Sequence, residues 1–262
     1  MITIPRIASL CAVLILALAA TNLPAQESAN PALPGFNAAA SDARAIAIAD
    51  SVMAALGGRE AWDDTRHITW RFFGRRLHVW DKWTGMHRME AGDLTTLMNL
   101  NTLEGQAWEK GKAVTDPDTL AARLQRAKSI WINDSYWLVM PYKLKDTGVT
   151  LTYLGEGATP DGEPAHQLQL TFENVGDTPE NRYVVYVDPE TWLVIHWDYF
   201  RAAGDAEAAM STPWDNWQRY GNIMLADDRG RARHGDIAVF DSLPESVYSD
   251  PAPFVLEEHT GQ

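Results

Sequence analysis

The sequence predicts an α+β fold, in which a large curved antiparallel sheet of about 11 strands forms an incomplete β-barrel and helices cover its concave face. Three observations support this prediction. Most of the chain consists of short segments with alternating apolar and polar residues, and only two segments have the spacing of an amphipathic helix. Strands and helices do not alternate, which disfavours a parallel sheet. No linker interrupts the strands, so we expect residues 41–251 to form one domain.

The first residues have the features of a secretory signal peptide. A positive charge at Arg6 precedes the apolar segment Ile7–Ala20, and Ala25 has the small side chain that a cleavage site requires. The apolar segment is too short to cross a bilayer comfortably, and no later segment is long and apolar enough to do so. We therefore predict that residues 1–25 are removed and that the mature protein is soluble, without a stable membrane span, and periplasmic or secreted. Cys11 lies within this peptide, so no disulfide is expected.

The first helix follows a short polar segment. Residues 26–40 are rich in Ala, Asn and Pro, and we predict that they form a flexible tether. From Ser41 to Leu56 the apolar residues recur at helical spacing, and a glycine pair at residues 57–58 ends the helix.

The second helix separates two sets of strands. Asp116 suits its N-cap and Pro117 suits its first helical position, whereas Pro141 requires the helix to end or kink before it. About five strands are predicted before this helix and about six after it. Residues 252–262 are predicted to be a C-terminal tail.

Charge and motifs exclude several classes of function. The 35 acidic residues outnumber the 22 basic ones and give a net charge of −13, so a general affinity for nucleic acid is not expected. The sequence contains no phosphate-binding loop, no dinucleotide-binding glycine motif and no zinc-peptidase motif. We therefore expect no cofactor and no bound metal, and we expect a monomer.

Aromatic residues are the feature most relevant to ligand binding. The chain has 11 Trp, 8 Tyr and 7 Phe, and such side chains either fill a sheet core or line a site for an apolar ligand. The apolar segment Tyr136–Tyr142 is not periodic enough for one helix face. It is interpreted either as a flap over a cavity or as a buried core segment. The residues predicted to line a ligand site are Trp70, Phe72, Trp80, Trp131, Trp137, Met140 and Trp197.

Several segments together resemble the periplasmic lipoprotein carrier and receptor superfamily, called LolA/LolB-like, and look like an uncharacterised branch of it. The resemblance covers roughly residues 41–251. The segments that carry it are the first helix ending in Leu56-Gly57-Gly58, Trp62 before the first strand, the mid-chain helix, Ser135–Tyr142, the hairpin Val187–Val194 and the ending Asp241–Pro251.

The resemblance implies a half-barrel whose cavity holds acyl chains. It therefore implies a carrier or binding protein for a lipid or for the acyl chain of a lipoprotein. Carriers of this superfamily use a basic residue on an early strand to contact the helical lid, and Arg71, Arg75 and Arg76 are the candidates here. The receptor branch is anchored through a cysteine at the start of the mature chain. This sequence has no such cysteine, so a soluble carrier fits better.

Two other functions stay open. His78 and Asp81, and likewise His196 and Asp198, are expected to point to one side of a strand, where such a pair suits acid–base chemistry or metal binding in an exported enzyme. For each pair the alternative is a hydrogen-bonded pair on the outer face of a sheet. A structural protein with a filled core is the third function that the sequence allows.

Overall fold

The computed structural model describes residues 29–260, so the predicted signal peptide lies outside the described residues. The α-helices are α1 (Ala43–Ala55), α2 (Arg59–Asp64) and α3 (Pro117–Val139). The strands are β1 (His67–Phe72), β2 (Arg76–Asp81), β3 (Met86–Ala91), β4 (Leu94–Asn99), β5 (Gly105–Glu109), β6 (Lys112–Ala113), β7 (Val149–Ala158), β8 (Pro164–Phe172), β9 (Arg182–Val187), β10 (Val194–Phe200), β11 (Met210–Pro213), β12 (Asp215–Tyr220), β13 (Ile223–Asp228) and β14 (Gly235–Phe240).

The strands form three antiparallel sheets. The seven-stranded sheet has the order β14-β1-β2-β3-β4-β5-β6, the five-stranded sheet has the order β11-β10-β9-β8-β7, and β12 pairs with β13. The β12–β13 hairpin contacts β10 of the five-stranded sheet through the Trp217 indole N–H, which donates to the Val194 carbonyl at 2.8 Å. The predicted α+β class and antiparallel arrangement are therefore confirmed.

The number of strands and sheets differs from the prediction of about 11 strands in a single sheet. Residues 214–225 look like one strand in the sequence but form the β12–β13 hairpin, because Gly221 has a φ of +57° and allows a tight turn. The strands Lys112–Ala113 and Met210–Pro213 are too short for an alternating pattern to be visible.

Helix α1 packs its apolar side against the core. Its buried residues, Ala45, Ile48, Ala49, Val52 and Met53, have the spacing of one helix face. The chain then turns at Gly57. Only glycine fits at this position, because a Cβ there would lie 2.3 Å from the Asn222 carbonyl oxygen. This close approach brings the end of α1 against the β12–β13 hairpin.

Helix α3 and the 3-10 helix that follows it connect both larger sheets to α1. The Asp116 side chain caps α3 by accepting a hydrogen bond from the Thr119 backbone N–H at 2.9 Å. After α3, the 3-10 helix Met140–Lys143 buries Tyr142, whose hydroxyl is 2.9 Å from the Leu56 carbonyl oxygen. Within residues 29–260, no helix has both the length and the apolar character that a membrane span requires.

Both ends of the described chain lie along the sheets. In the segment predicted as a tether, the Leu33 and Asn37 backbone N–H groups donate to the carbonyls of Lys145 and Val149 at 3.0 Å each. In the predicted tail, Phe254 is 9% exposed and packs with apolar residues of β2. Both segments therefore contact the folded domain over the residues that the structure describes.

Candidate functional site

The seven predicted ligand-site residues belong to one apolar cluster between the sheets and helices α1 and α3. Trp70 and Trp197 are 1% exposed and Met140 is 0% exposed, so their side chains pack against protein atoms. Phe72 is buried as well, whereas the rings of Trp80, Trp131 and Trp137 remain half-buried.

Helix α3 and the inner face of the five-stranded sheet share a group of rings, which we call the aromatic cluster. Its members are Tyr136, Trp137, Phe172, Tyr183, Trp197 and Tyr199. The Tyr183 and Trp197 rings stack with centroids 4.9 Å apart, and Trp137 meets Trp197 edge-on, also at 4.9 Å. The strand register explains the grouping, because Tyr183 pairs directly with Tyr199 on neighbouring strands and their side chains share a face.

Most members of the aromatic cluster are only partly buried. All of its members except Trp197 are half-buried, which differs from the tight packing around Trp70. The Tyr136 hydroxyl has no hydrogen-bond partner, and burial raises the pKa of this phenol well above its usual value. The hydroxyl is therefore neutral, and its proton has no acceptor among the described residues.

A buried polar network joins α3 to the seven-stranded sheet. Asp134 of α3 is 0% exposed and accepts two hydrogen bonds from Arg76, at 2.6 and 2.8 Å. His78 Nε2 lies 2.9 Å from the same carboxylate, and His78 Nδ1 lies 3.0 Å from His87 Nε2. Burial alone would raise the pKa of Asp134, but hydrogen bonds from His78 and Arg76 outweigh burial and lower it. Asp134 is therefore an ionised carboxylate paired with one guanidinium.

Both histidines of this network are neutral. Burial lowers the pKa of His78, although its hydrogen bond to Asp134 opposes the effect, and burial lowers the pKa of His87 further. Because the carboxylate only accepts, His78 donates from Nε2 and accepts at Nδ1 from His87. His87 Nδ1 is then an acceptor without a partner.

Of the three arginines predicted to contact a lid, Arg76 is the one that contacts α3. Arg71 instead pairs with Asp236 of β14 at 2.7 Å, beside a pocket of about 210 Å³ on the outer face of the sheet. Arg75 is exposed in the turn between β1 and β2. Of the three candidates, Arg76 is thus the one whose side chain forms an ion pair with a residue of α3.

The prediction that His78 and Asp81 point to one side of a strand is wrong. They are three residues apart on β2, and an odd separation places side chains on opposite faces of a strand. His78 points toward α3, whereas Asp81 pairs with Arg66 at 2.9 Å. His78 is also 0% exposed, so its ring is closed to solvent in this structure.

His196 and Asp198 do share a face, and it is the one opposite Trp197. His196 Nε2 is 3.5 Å from Asp198 Oδ1 and 2.8 Å from the Ser211 hydroxyl. The Tyr186 hydroxyl donates to the other carboxylate oxygen at 2.7 Å. Ser211 and Asp198 approach the same imidazole nitrogen, which differs from a catalytic triad, where they bind opposite nitrogens. In the described part of the chain, no group of three or more His, Cys, Asp or Glu is arranged to hold a metal ion.

Several buried side-chain nitrogen and oxygen atoms of the described residues have no hydrogen-bond partner. Most buried polar groups in folded proteins are paired, so such atoms mark positions where an additional partner is favourable. Edge-on packing of neighbouring rings offers the indole N–H groups only a weak alternative. In the interior these atoms are Trp70 Nε1, His87 Nδ1, Thr96 Oγ1, Trp131 Nε1, Tyr136 Oη, Trp197 Nε1, Trp214 Nε1, Arg229 Nε and His234 Nδ1.

Some residues of the aromatic cluster and of the polar network were not predicted from the sequence. Tyr183 and Tyr199 alternate with Val184 and Asp198 on paired strands, and this alternation is the signal that would have placed them on the inner face. Asp134 has no comparable signal, because a single aspartate in a helical segment is usually exposed.

Comparisons with known proteins give no family assignment. No protein-family model matches the chain, and no curated protein does. Among solved structures, a DUF1329 family protein from Desulfovibrio piger ATCC 29098 is similar with a TM-score of 0.44 and 13% sequence identity, over 79% of this chain and 98% of that one. MucB is similar with a TM-score of 0.24 and 15% identity, over 71% of this chain and 66% of MucB.

Proposed function

We propose that the protein is an exported, soluble carrier or binding protein for an apolar or acylated ligand, held between α3 and the five-stranded sheet. The observation that carries the proposal is the aromatic cluster, in which every ring but that of Trp197 is half-buried. Aromatic side chains with a few polar groups are the usual lining of a site for an apolar molecule. Met140 and Trp137 at the end of α3 add polarisable, adaptable surface.

Ligand entry requires α3 to move away from the sheets, because the rings around Trp70 and Trp197 leave no open space. The polar network at Asp134 is suited to such a movement. Water can replace the partners of Arg76 and Asp134 when the helix separates, whereas exposed apolar surface has no such compensation. We therefore assign to Arg76 the lid-contacting role that the resemblance implies for a basic residue on an early strand.

The experiment is ligand recovery and titration with the protein as it is exported. The mature protein is purified from the periplasm, and native mass spectrometry before and after lipid extraction is expected to detect a bound acyl compound. After extraction, the neutral fluorescent probe N-phenyl-1-naphthylamine is expected to bind with saturation. Trp137→Ala and Tyr183→Leu are each expected to weaken probe binding by about tenfold or more, because each removes buried aromatic contact.

Trp83→Ala is the matched control. Trp83 is 60% exposed in the turn between β2 and β3, so its replacement is expected to leave probe binding unchanged. Circular dichroism and the unfolding midpoint establish that each variant is folded. If no acyl compound is recovered and the folded wild-type protein does not bind the probe, the proposal is wrong and a structural protein with a filled core is favoured.

A further inference from the structure

Arg229 is a buried cation without a carboxylate partner. Its side chain enters the core from the turn between β13 and β14 and is 3% exposed. Nη1 and Nη2 donate to the carbonyls of Asp228 and Trp137 at 2.7 and 2.8 Å, whereas Nε has no partner. The neighbouring Asp227 and Asp228 side chains pair with Arg233 instead. Burial lowers the pKa of Arg229 to about 9, and the attraction of Asp227, Asp228 and Asp215 opposes this effect without a direct ion pair. A buried charge is costly unless an opposite charge compensates it, so a directly bound anion is favourable here.

Arg229 belongs to a closed ring of four contacts. Its guanidinium lies 3.6 Å from the centre of the Trp214 ring, and Trp214 meets Trp197 edge-on with centroids 5.1 Å apart. Trp197 contacts Trp137 at 4.9 Å, and the Trp137 carbonyl accepts from Arg229. Trp197 and Trp214 are 1% and 0% exposed, and neither indole N–H has a partner. The ring thus carries three buried N–H donors that lack an acceptor.

The histidine beside Arg229, His234, is neutral. His234 Nε2 lies 3.1 Å from the same Trp137 carbonyl, so the imidazole donates there and its Nδ1 carries no proton. Burial first, and then the positive charge of Arg229, lower the pKa of His234 to about 3. The imidazole is therefore neutral, and Arg229 supplies the positive charge of this region.

We infer that the acyl ligand has an anionic oxygen head group, a carboxylate or a phosphate, which binds at Arg229 Nε and at the indole N–H groups of Trp197 and Trp214. The inference rests on the proposed function, because these residues adjoin the aromatic cluster that would hold the apolar chain. Trp197 belongs to both, so a chain along Tyr183 and Tyr136 would bring its head group to Arg229. Gly230, next to Arg229, is exposed, so this end of the site is close to solvent.

The test compares ligands that differ only in the head group. Dodecanoate, dodecyl phosphate and 1-dodecanol displace N-phenyl-1-naphthylamine from the delipidated protein. At least one anion is expected to bind about tenfold or more tightly than the alcohol, because hydrogen bonds between charged partners are stronger than neutral ones. Comparison of the two anions identifies the preferred head group. Arg229→Met is expected to remove the preference, because the variant no longer offers the anion an opposite charge.

Further variants test the charge of Arg229 and the two indole N–H donors separately. Arg229→Lys keeps the charge and is expected to retain part of the preference. Trp197→Phe and Trp214→Phe remove one N–H each while keeping the ring, and each is expected to reduce the preference several-fold. Trp83→Phe is the matched control and is expected to have no effect.

The outcomes distinguish this inference from the proposed function. If both anions and the alcohol bind equally, the inference is wrong and the proposed function stands. It is also wrong if folded Arg229→Met keeps the wild-type preference. If the folded protein binds neither the probe nor any of the three ligands, the proposed function is wrong and the inference is lost with it.

Discussion

Asp134 is the residue on which the attachment of α3 to the seven-stranded sheet most depends. Its carboxylate is fully buried and is held by Arg76, His78 and the Asn133 side chain. The Coulomb attraction within such a pair offsets the cost of burying it only while both partners are present. The loss of one charge leaves the other without compensation in the interior.

Asp134→Asn is therefore expected to lower the free energy of unfolding by about 3 kcal/mol, since it removes a buried charge and leaves Arg76 unpaired. Urea denaturation followed by tryptophan fluorescence measures the change. Asp63→Asn is the matched control, because Asp63 forms an ion pair with Arg59 while its side chain is 51% exposed. The control is expected to change stability by less than about 0.5 kcal/mol. Equal losses in the two variants would contradict the role assigned to burial.

Single residues are also where the sequence was least informative about the site. The spacing of His78 and Asp81 is incompatible with a shared strand face, and the actual partner of His78 lies on a helix far along the chain. The importance of Arg229 depends on the burial of its turn against the end of α3, which composition does not reveal. The resemblance offered Arg71, Arg75 and Arg76 as lid contacts without choosing among them, because the choice depends on which of them faces α3.

At the level of elements, alternation and capping residues predict most of the fold. The order of helix, strands, helix and strands follows from apolar periodicity, and Asp116 with Pro117 marks the start of α3. Short strands such as Lys112–Ala113 are missed because two residues carry no period. The packing of the C-terminal segment along the sheet depends on tertiary contacts that no local pattern reveals, such as the hydrogen bond from the Phe254 backbone N–H to the Glu90 carboxylate at 2.8 Å.

Three elements meet at the Tyr142 hydroxyl. Its single proton lies within reach of two carbonyls, that of Leu56 at the end of α1 at 2.9 Å and that of Met224 in β13 at 2.7 Å, and its oxygen accepts from the Met224 backbone N–H at 3.0 Å. Burial raises the pKa of Tyr142, so the hydroxyl keeps its proton. The Tyr142 hydroxyl therefore links the 3-10 helix to the end of α1 and to β13.

Tyr142→Phe is expected to destabilise the protein by about 0.5–1.5 kcal/mol, because it removes the hydrogen bonds of the hydroxyl, while the Met224 N–H still donates to the Leu56 carbonyl and the ring still stacks on Trp62. The unfolding midpoint in urea provides the measurement. Tyr220→Phe is the control, since within the described residues the Tyr220 hydroxyl makes no hydrogen bond; its effect is expected to stay below about 0.5 kcal/mol. A loss at Tyr142 no larger than that of the control would show that the three elements are held together by apolar packing alone.

On the scale of the whole molecule, buried neutral histidines couple folding to pH. Burial lowers the pKa of His67, His78, His87 and His234 below the ordinary value of 6.5. In the unfolded chain each imidazole takes up a proton as the pH falls below about 6.5, whereas the native protein does not until a lower pH. The unfolded state therefore binds more protons in this range, and acid favours unfolding.

We expect the free energy of unfolding to fall as the pH drops below 6.5, by about 1.4 kcal/mol per pH unit for each histidine that stays neutral. Denaturation curves between pH 7.5 and 5 measure this slope. The carboxylates with a lowered pKa, such as Asp134, contribute little in this range, because their ordinary pKa of 3.8 lies below it. His234→Asn removes one such group, whose pKa is about 3 in the native protein, and is expected to reduce the slope by one histidine's share. A free energy of unfolding that does not change from pH 7.5 to 5 would contradict the burial of neutral imidazoles.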